Sequence, residues 1–275
     1  MINLMVAGND RVFDGLITLS LSLIKHCTRP IKLYIFTMDF TEHNPKFTPI
    51  TQLQADFIKD ILVKGNAQSE VCLCDVSSPF KEKFLPSVNI DTKYTPYTLL
   101  RLLADDIIKE EKVAYIDIDI LAKNDISLLF DTDISEYELG VVEDKMGKFW
   151  IHKGYFNAGM LLINLDMVRK TGLFKKAIDL VKNKKMAFPD QDALNRTVTK
   201  KLLLPSRFNS QGVQDDQTVL MHFCKTIRWL PFFKIVNVKP WQVDDVRKLH
   251  DMSPFDDILN QFISIKNSME KKENE

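Results

Sequence analysis

VAYIDIDIL, residues 113–121, is the stretch whose reading decides the fold. Its apolar, largely β-branched character predicts a buried strand. Two carboxylates, Asp117 and Asp119, stand inside it one residue apart. Side chains in a strand alternate between faces, so both aspartates fall on one face while Ile116, Ile118 and Ile120 take the other and bury against helices. Two carboxylates ~5 Å apart, at an effective dielectric of about 20, repel by roughly 3 kcal/mol. A divalent cation at the C-terminal end of the strand removes that cost, and ligands of open α/β sheets bind at that end. The competing reading is a strand that simply ends at Ile116. Short D-x-D strings recur in this chain, at Asp131-Thr-Asp133 and Asp190-Gln-Asp192.

Upstream of this stretch the pattern is regular. INLMVAG (2–8), IKLYIFT (31–37) and EVCLCDV (70–76) have strand character. Between them, residues 11–26 space Leu16, Leu19, Leu23 and Ile24 at helical intervals, and residues 48–63 do the same with Leu53, Phe57, Ile58 and Ile61. Pro96 opens a further helix through Leu99, Leu102, Leu103 and Ile107. The order β-α-β-α-β-α-β predicts a mostly parallel sheet flanked by helices. No G-x-G-x-x-G fingerprint is present, which argues against ordinary dinucleotide binding. Downstream, ELGVVED (138–144), AGMLLINL (158–165) and TVLMHF (218–223) predict strands, 173–184 and 190–198 helices, and PSRFNSQGVQDDQ (205–217) a loop. Ser253 and Pro254 cap a last helix whose stripe of Phe255, Ile258, Leu259, Phe262 and Ile265 has the spacing of a core face. The terminal EKKENE is expected to fray.

Composition narrows the class. The chain has 275 residues, 45% apolar and 27% charged, with 37 basic and 37 acidic side chains, so no electrostatic case exists for a nucleic-acid partner. The N-terminus lacks the basic start of a secretory signal, and no apolar run approaches the roughly 18 residues of a membrane span. Cys27, Cys72, Cys74 and Cys224 are sparse. Cys72 and Cys74 are too close for an easy disulfide and lack a second ligand pair for zinc, so reduced thiols and a cytoplasmic setting are expected.

Four later stretches extend the constellation. YFNAGMLLIN (155–164) sets Asn157 and two small residues, Ala158 and Gly159, at the start of an apolar strand, where a ligand could approach the backbone. PDQDALN (189–195) has the form of a helix start, with Asp190 or Asp192 as a cap. LPSRFNSQ (204–211) is polar, and VLMHF ends a strand on His222. A haloacid-type phosphatase also carries a strand-end D-x-D, but Ile120-Leu121 does not continue that pattern. The ordered set of D-x-D, FNAG-x-LLIN, P-DQD-x-LN, LP-x-x-FN, H-F and K-P-W resembles the family 8 retaining glycosyltransferases, the group that includes glycogenin and bacterial lipopolysaccharide galactosyl- and glucosyltransferases. The resemblance extends from residue 2 to about residue 241 and takes in LMVAGND and YTLLRLLADDI.

The resemblance implies a GT-A fold: a nucleotide-binding α/β sheet merged with a smaller acceptor-binding region, over residues 1–252, followed by a C-terminal helix and tail at 253–275. It implies a UDP-sugar donor, UDP-glucose or UDP-galactose, with Mn²⁺ or Mg²⁺. Asp117, Asp119 and His222 match metal ligands. Ala7 and Asn9 match positions around the uridine, and Ile118 falls among the nucleotide-binding positions. Arg101 matches an arginine near the donor sugar or diphosphate. Asn157, Ala158, Asp190 and Gln191 match residues around the donor sugar, the last two as the catalytic positions. Three features depart from the family pattern. Val12, with Phe13 beside it, occupies the place of a uracil-stacking aromatic. Leu99 stands where a tyrosine often precedes the arginine. The glycine expected soon after the histidine is missing, so the diphosphate lysine is Lys239, the favoured choice, or Lys225.

The implied reaction is hexosyl transfer to a glycan acceptor with retention at the anomeric carbon, in cell-envelope polysaccharide or lipopolysaccharide synthesis. A front-face route is preferred over a covalent one because Gln191 is a poor nucleophile. KFLPSVNIDTKYTP (83–96) and the stretch after His222 are the expected covers that exclude water. A sugar-phosphate nucleotidyltransferase, a non-catalytic nucleotide-sugar binder and a self-glucosylating primer are the competing classes. GNDRVFD does not supply the glycine-rich first loop of the nucleotidyltransferases. Membrane contact is at most peripheral, and would have to come through the Phe255–Ile265 stripe.

Overall fold

The computed structural model describes residues 1–92, 94–228 and 234–273. Strands β1 (Ile2–Ala7), β2 (Ile31–Thr37), β3 (Glu70–Asp75) and β4 (Lys112–Ile116) are followed by a short β5 (Ile120–Ala122), then β6 (Leu139–Glu143), β7 (Phe156–Asn164), β8 (Lys201–Leu203), β9 (Ser210–Gln211) and β10 (Leu220–His222). Seven of them form the main sheet in the order β3-β2-β1-β4-β7-β6-β8. The first four are mutually parallel, β8 is parallel to β6, and β7 runs antiparallel to both β4 and β6. This is the mostly parallel, helix-flanked sheet that the alternation predicts. A second sheet has the order β5-β10-β9.

The helix after β1 spans Phe13–His26 and buries Leu16, Leu19 and Leu23 completely. It is covered on a second side by the C-terminal helix Asp256–Glu273, whose Ile258, Leu259 and Phe262 join the same core. The Phe255–Ile265 stripe is therefore interior, with Ile265 half-buried at its edge. Among the described residues, no helix is long and apolar enough to cross a membrane. The helix runs through Glu273, so most of the tail expected to fray is helical, and the last two residues lie outside the described set.

The helix expected from residue 48 begins at Gln52. Thr51 Oγ1 accepts the Gln54 N–H at 3.2 Å, and Gln54 Oε1 accepts the Thr51 N–H at 2.9 Å, a reciprocal cap that fixes the start. Leu53, counted in its apolar stripe, is 80% exposed in the first turn. The segment opened by Pro96 is a 3₁₀ helix to Leu103, then one α-turn.

The largest correction concerns VAYIDIDIL. It is not one strand. β4 ends at Ile116, residues 117–119 turn, and Ile120 starts β5 in the other sheet. Ile118 still buries, but by packing onto Gly8 and Gly15. A Cβ on those glycines would stand 2.9 and 2.5 Å from Ile118 carbons. The period-two pattern is satisfied by a tertiary contact rather than by pleating.

Candidate active site

Two strand registers assemble the site. β4 pairs with β7 so that Ile116 faces Met160. Asp117 then lies beside Gly159, whose carbonyl accepts the Asp117 N–H at 2.7 Å. In the second sheet Ile120 faces His222, and the Asp119 carbonyl accepts the Phe223 N–H at 3.0 Å. The ligand atoms of Asp117, Asp119 and His222 all fall within 4.8 Å of one another. His222 Nε2 is 3.2 Å from Asp119 Oδ1 and 3.8 Å from Asp117 Oδ2. Gly159 makes this possible, since a Cβ there would sit 2.2 Å from His222 Cε1 and 2.8 Å from Asp117 Oδ2. Two carboxylates and one imidazole form a donor set that fits a divalent cation of the Mn²⁺ or Mg²⁺ kind.

The chain supplies counter-charges of its own. Lys239 Nζ donates to Asp119 Oδ2 and, at 3.2 Å, to the Phe223 carbonyl. Burial pushes the Asp119 carboxyl up, but His222 and Lys239 outweigh it and hold the group well below the usual carboxylate range. Arg101 is 2% exposed. Its guanidinium stacks over the Tyr115 ring at 4.1 Å, donates to Asp117 Oδ1 at 3.0 Å and to the Ala158 carbonyl, and lies 3.3 Å from Asp190 Oδ2. Burial opposes its charge, yet Tyr115, Asp117 and Asp190 keep its pKa above the ordinary value. Tyr115 adds a hydrogen bond to Asp117 Oδ1 at 2.6 Å. Asp190 is raised, chiefly by burial, with Arg101 pulling the other way. Arg101 thus sits beneath the site, joining Asp117 to Asp190.

A run of amides borders the carboxylates. Pro189 opens the helix Pro189–Thr197. Asp190 makes no cap, whereas Asp192 accepts the Phe188 N–H at 3.1 Å and the Tyr155 hydroxyl at 2.6 Å. Gln191 Oε1 accepts the Ala158 N–H at 2.9 Å and Asn157 Nδ2 at 3.3 Å, and its Nε2 donates to Tyr155 Oη at 3.2 Å. Asn157 Nδ2 also donates to Asp144 Oδ2 at 3.1 Å. Asp144 Oδ1 caps the loop that follows, accepting the N–H groups of Met146 and Gly147. That loop exposes Phe149 and Trp150 and returns to the sheet at Tyr155.

The family model described as glycosyl transferase family 8 matches residues 3–245. The chain belongs to glycosyl transferase family 8. Among curated family members it is 29% identical over 195 residues to glycosyltransferase GlyA of Streptococcus pneumoniae, covering 70% of this chain and 25% of GlyA. It is 32% identical over 172 residues to the lipopolysaccharide 1,3-galactosyltransferase of Salmonella typhimurium, covering 51% of this chain and 50% of that protein. The chain therefore spans half or less of these two relatives. A solved structure of the galactosyltransferase LgtC, in complex with donor and acceptor sugar analogues, superimposes with a TM-score of 0.70 at 21% identity, covering 97% of this chain and 96% of LgtC. The fold is GT-A.

The structure brings most of the family-implied residues to one place. Asp117, Asp119, His222, Arg101, Asn157, Ala158, Asp190, Gln191 and Lys239 form a connected set through the contacts above. Of the two candidate lysines, Lys239 reaches Asp119, while Lys225 is exposed. Ala7 ends β1, and Asn9, nearly buried, donates to the Lys46 carbonyl at 3.1 Å. Val12 lies against Gly8, and Phe13 turns into the core edge-on to Phe57 with centroids 5.9 Å apart. In the first expected cover, Asn89 donates to the Val181 and Lys184 carbonyls at 2.6 and 2.7 Å and pins that segment down. Lys93 of that cover, and 229–233 of the one after His222, lie outside the described residues. Sequence reasoning missed four neighbours of the candidate residues: Tyr115, Asp144, Tyr155 and Asn209. Tyr155 and Asn209 lie within the quoted YFNAG and LPSRFN stretches, which were the available signal. Asp10, also missed, keeps Oδ1 buried with no hydrogen-bond partner.

Proposed function

We propose that this chain is a cytoplasmic, metal-dependent, retaining hexosyltransferase. It moves glucose or galactose from a UDP-sugar to a glycan acceptor in lipopolysaccharide or other cell-envelope polysaccharide synthesis. The observation that carries the reading is the convergence of Asp117, Asp119 and His222 within 4.8 Å at the strand ends where nucleotides bind in such sheets. The relative named as a lipopolysaccharide galactosyltransferase supports the envelope setting.

Asp117, Asp119 and His222 would hold the Mn²⁺ or Mg²⁺. A divalent cation in that place supplies charge neutralisation to a diphosphate leaving group. Lys239, anchored on the Phe223 carbonyl, adds a second positive charge on the same side. Ala7, Asn9 and Ile118 line the nucleoside end. Asn157, Ala158, Asp190 and Gln191 face the sugar. Gln191 has its amide oxygen and nitrogen both committed, and an amide is a poor nucleophile, while Asp190 Oδ2 is ion-paired with Arg101. This supports front-face departure, with these residues bounding the sugar and keeping its geometry. Phe149 and Trp150, exposed on the loop that Asp144 caps, are the ring faces we assign to the glycan acceptor.

The test is a calorimetric titration of UDP with Mn²⁺, with excess EDTA, and with Asp119→Ala. Binding that needs Mn²⁺ and disappears in the variant is expected. Binding that is equal in EDTA, or absent in both conditions, would remove the metal-bound UDP and the reading built on it.

A further inference from the structure

The hydrogen-bond polarity of the amides around His222 is forced by backbone donors. A backbone N–H can only donate. Asn157 Oδ1 accepts the Gly159 N–H at 2.9 Å, so Asn157 cannot be flipped. The same oxygen lies 3.0 Å from an Asn209 amide atom, which must then be Nδ2, since oxygen against oxygen would leave two acceptors in contact. Asn209 Oδ1 therefore faces His222 Nδ1 at 2.9 Å, and Nδ1 must carry the proton. Asn209 is 1% and His222 2% exposed, so water does not compete for these groups. The ring's other nitrogen, Nε2, then faces Asp119 Oδ1 at 3.2 Å and Asp117 Oδ2 at 3.8 Å. With Nδ1 committed to Asn209, Nε2 is the nitrogen that a cation between the two carboxylates would take.

We propose that Asn209 is the positioning residue of this site: it fixes His222 as the Nδ1–H tautomer and ties that ring, through Asn157, to the amides on the donor-sugar side. The metal half of the proposal rests on the functional reading above, while the tautomer half does not. Asn209 touches neither donor nor cation in this scheme and acts through its two neighbours. Its backbone is held independently, by the Ser206 carbonyl at 3.0 Å, so side-chain changes leave the loop in place.

Two variants separate the two ties. Asn209→Ala removes both. Asn209→Asp keeps an acceptor for Nδ1–H but turns a donor into an acceptor against Asn157 Oδ1. The measurement is a long-range ¹H–¹⁵N correlation spectrum of the histidine rings in the full chain at pH 8.5, without metal, with His222 assigned by its loss in His222→Gln. A Mn²⁺ titration read by electron paramagnetic resonance accompanies it. Wild type should show Nδ1 protonated. Asn209→Ala should show a mixture and bind Mn²⁺ 10- to 100-fold more weakly. Asn209→Asp should keep the tautomer and bind Mn²⁺ within about threefold of wild type, and it decides the question alone if Asn209→Ala does not fold. An Nε2–H tautomer in wild type, or a ring spectrum unchanged in Asn209→Ala, would overturn the proposal. A fixed tautomer in a protein that binds no Mn²⁺ would uphold the role of Asn209 and remove the metal reading instead.

Discussion

Gly159→Ala is the substitution that loads most directly on the site. The added Cβ would stand 2.2 Å from His222 Cε1, 2.8 Å from Asp117 Oδ2 and 2.9 Å from Asn157 Oδ1, against 3.4 Å for ordinary contact. His222 must retreat by about 1 Å, yet its ring is buried and tied to Asn209, and its strand is paired on both sides. Asp117 cannot yield freely either, because Arg101 and Tyr115 hold it. Overpacking of this kind costs about 1–3 kcal/mol, a fall of roughly 2–5 °C in melting temperature for a chain of this size. The effect on the cation is larger in proportion. Metal–ligand distances tolerate about 0.2 Å, so a 1 Å retreat removes one of three protein ligands. Mn²⁺ affinity should fall at least about 100-fold, near 3 kcal/mol. The assay is free-Mn²⁺ quantitation by electron paramagnetic resonance beside a thermal melt. Gly172→Ala is the control: it strains a φ of 66° but has nothing within 4 Å, so it should lower stability by about 1 kcal/mol and leave Mn²⁺ binding alone. A Gly159→Ala protein that binds Mn²⁺ within threefold of wild type would refute the argument that Gly159 exists to seat His222 and Asp117.

Two further predictions concern stability and pH. Burial and the neighbouring Asp106 raise the Asp105 carboxyl to about 6, so its ionisation opposes folding as pH rises through that value. Asp105→Asn should therefore add about 1–2 kcal/mol at pH 7.5 and little at pH 4, where the native side chain is already protonated. An equal gain at both pH values in paired denaturant titrations would exclude this cause. Burial works against Glu110, but hydrogen bonds with Lys32 and Tyr34 win and hold it at about 2. Its contribution is complete above the ordinary glutamate range and is lost as pH falls from about 5 toward 2. The pair is partly solvated, so Glu110→Gln should cost about 1 kcal/mol at pH 7, with the difference closing near pH 2.5. A cost that persists at pH 2.5 would point to packing instead.

The parallel half of the sheet was legible because each strand there is a compact apolar run and each helix has a clear stripe. The two aspartates stood out for the same reason, since a charge inside an apolar run is conspicuous. The break after Ile116 was not. Ile116, Ile118 and Ile120 satisfy strand alternation, and what buries Ile118 is a glycine pair more than a hundred residues upstream. Leu53 misled in the opposite sense: its spacing fits the stripe, but the cap at Thr51 fixes a rotation that leaves it in solvent. Lys239 could be chosen over Lys225 only through the resemblance. Physically it is placed by Trp241, two residues on, which packs against Gly15 beneath Ile118. For Asn209 the LPSRFN stretch marked the loop but not the role, since an asparagine in a polar loop looks alike whether it faces water or a buried histidine.

The break in VAYIDIDIL has a topological reason that the sequence conceals. β4 is an interior strand, paired with β1 on one side and β7 on the other. Were it to continue straight through Asp119, both edges would stay occupied, and no strand carrying a histidine could lie alongside. Turning at residues 117–119 and restarting as β5 creates a fresh edge, and β10 pairs with it in the register that sets His222 opposite Ile120. Asp117 remains tied to the main sheet through Gly159, while Asp119 is tied to β10 through Phe223. The two carboxylates are tied to two different sheets, and the seam between those sheets is where His222 enters. A one-residue slip of β10 would turn His222 to the opposite face and bring Met221 or Phe223 to its place. Site integrity therefore depends on a three-residue strand, and on the Phe223 N–H bond and the β9 pairing that hold its register.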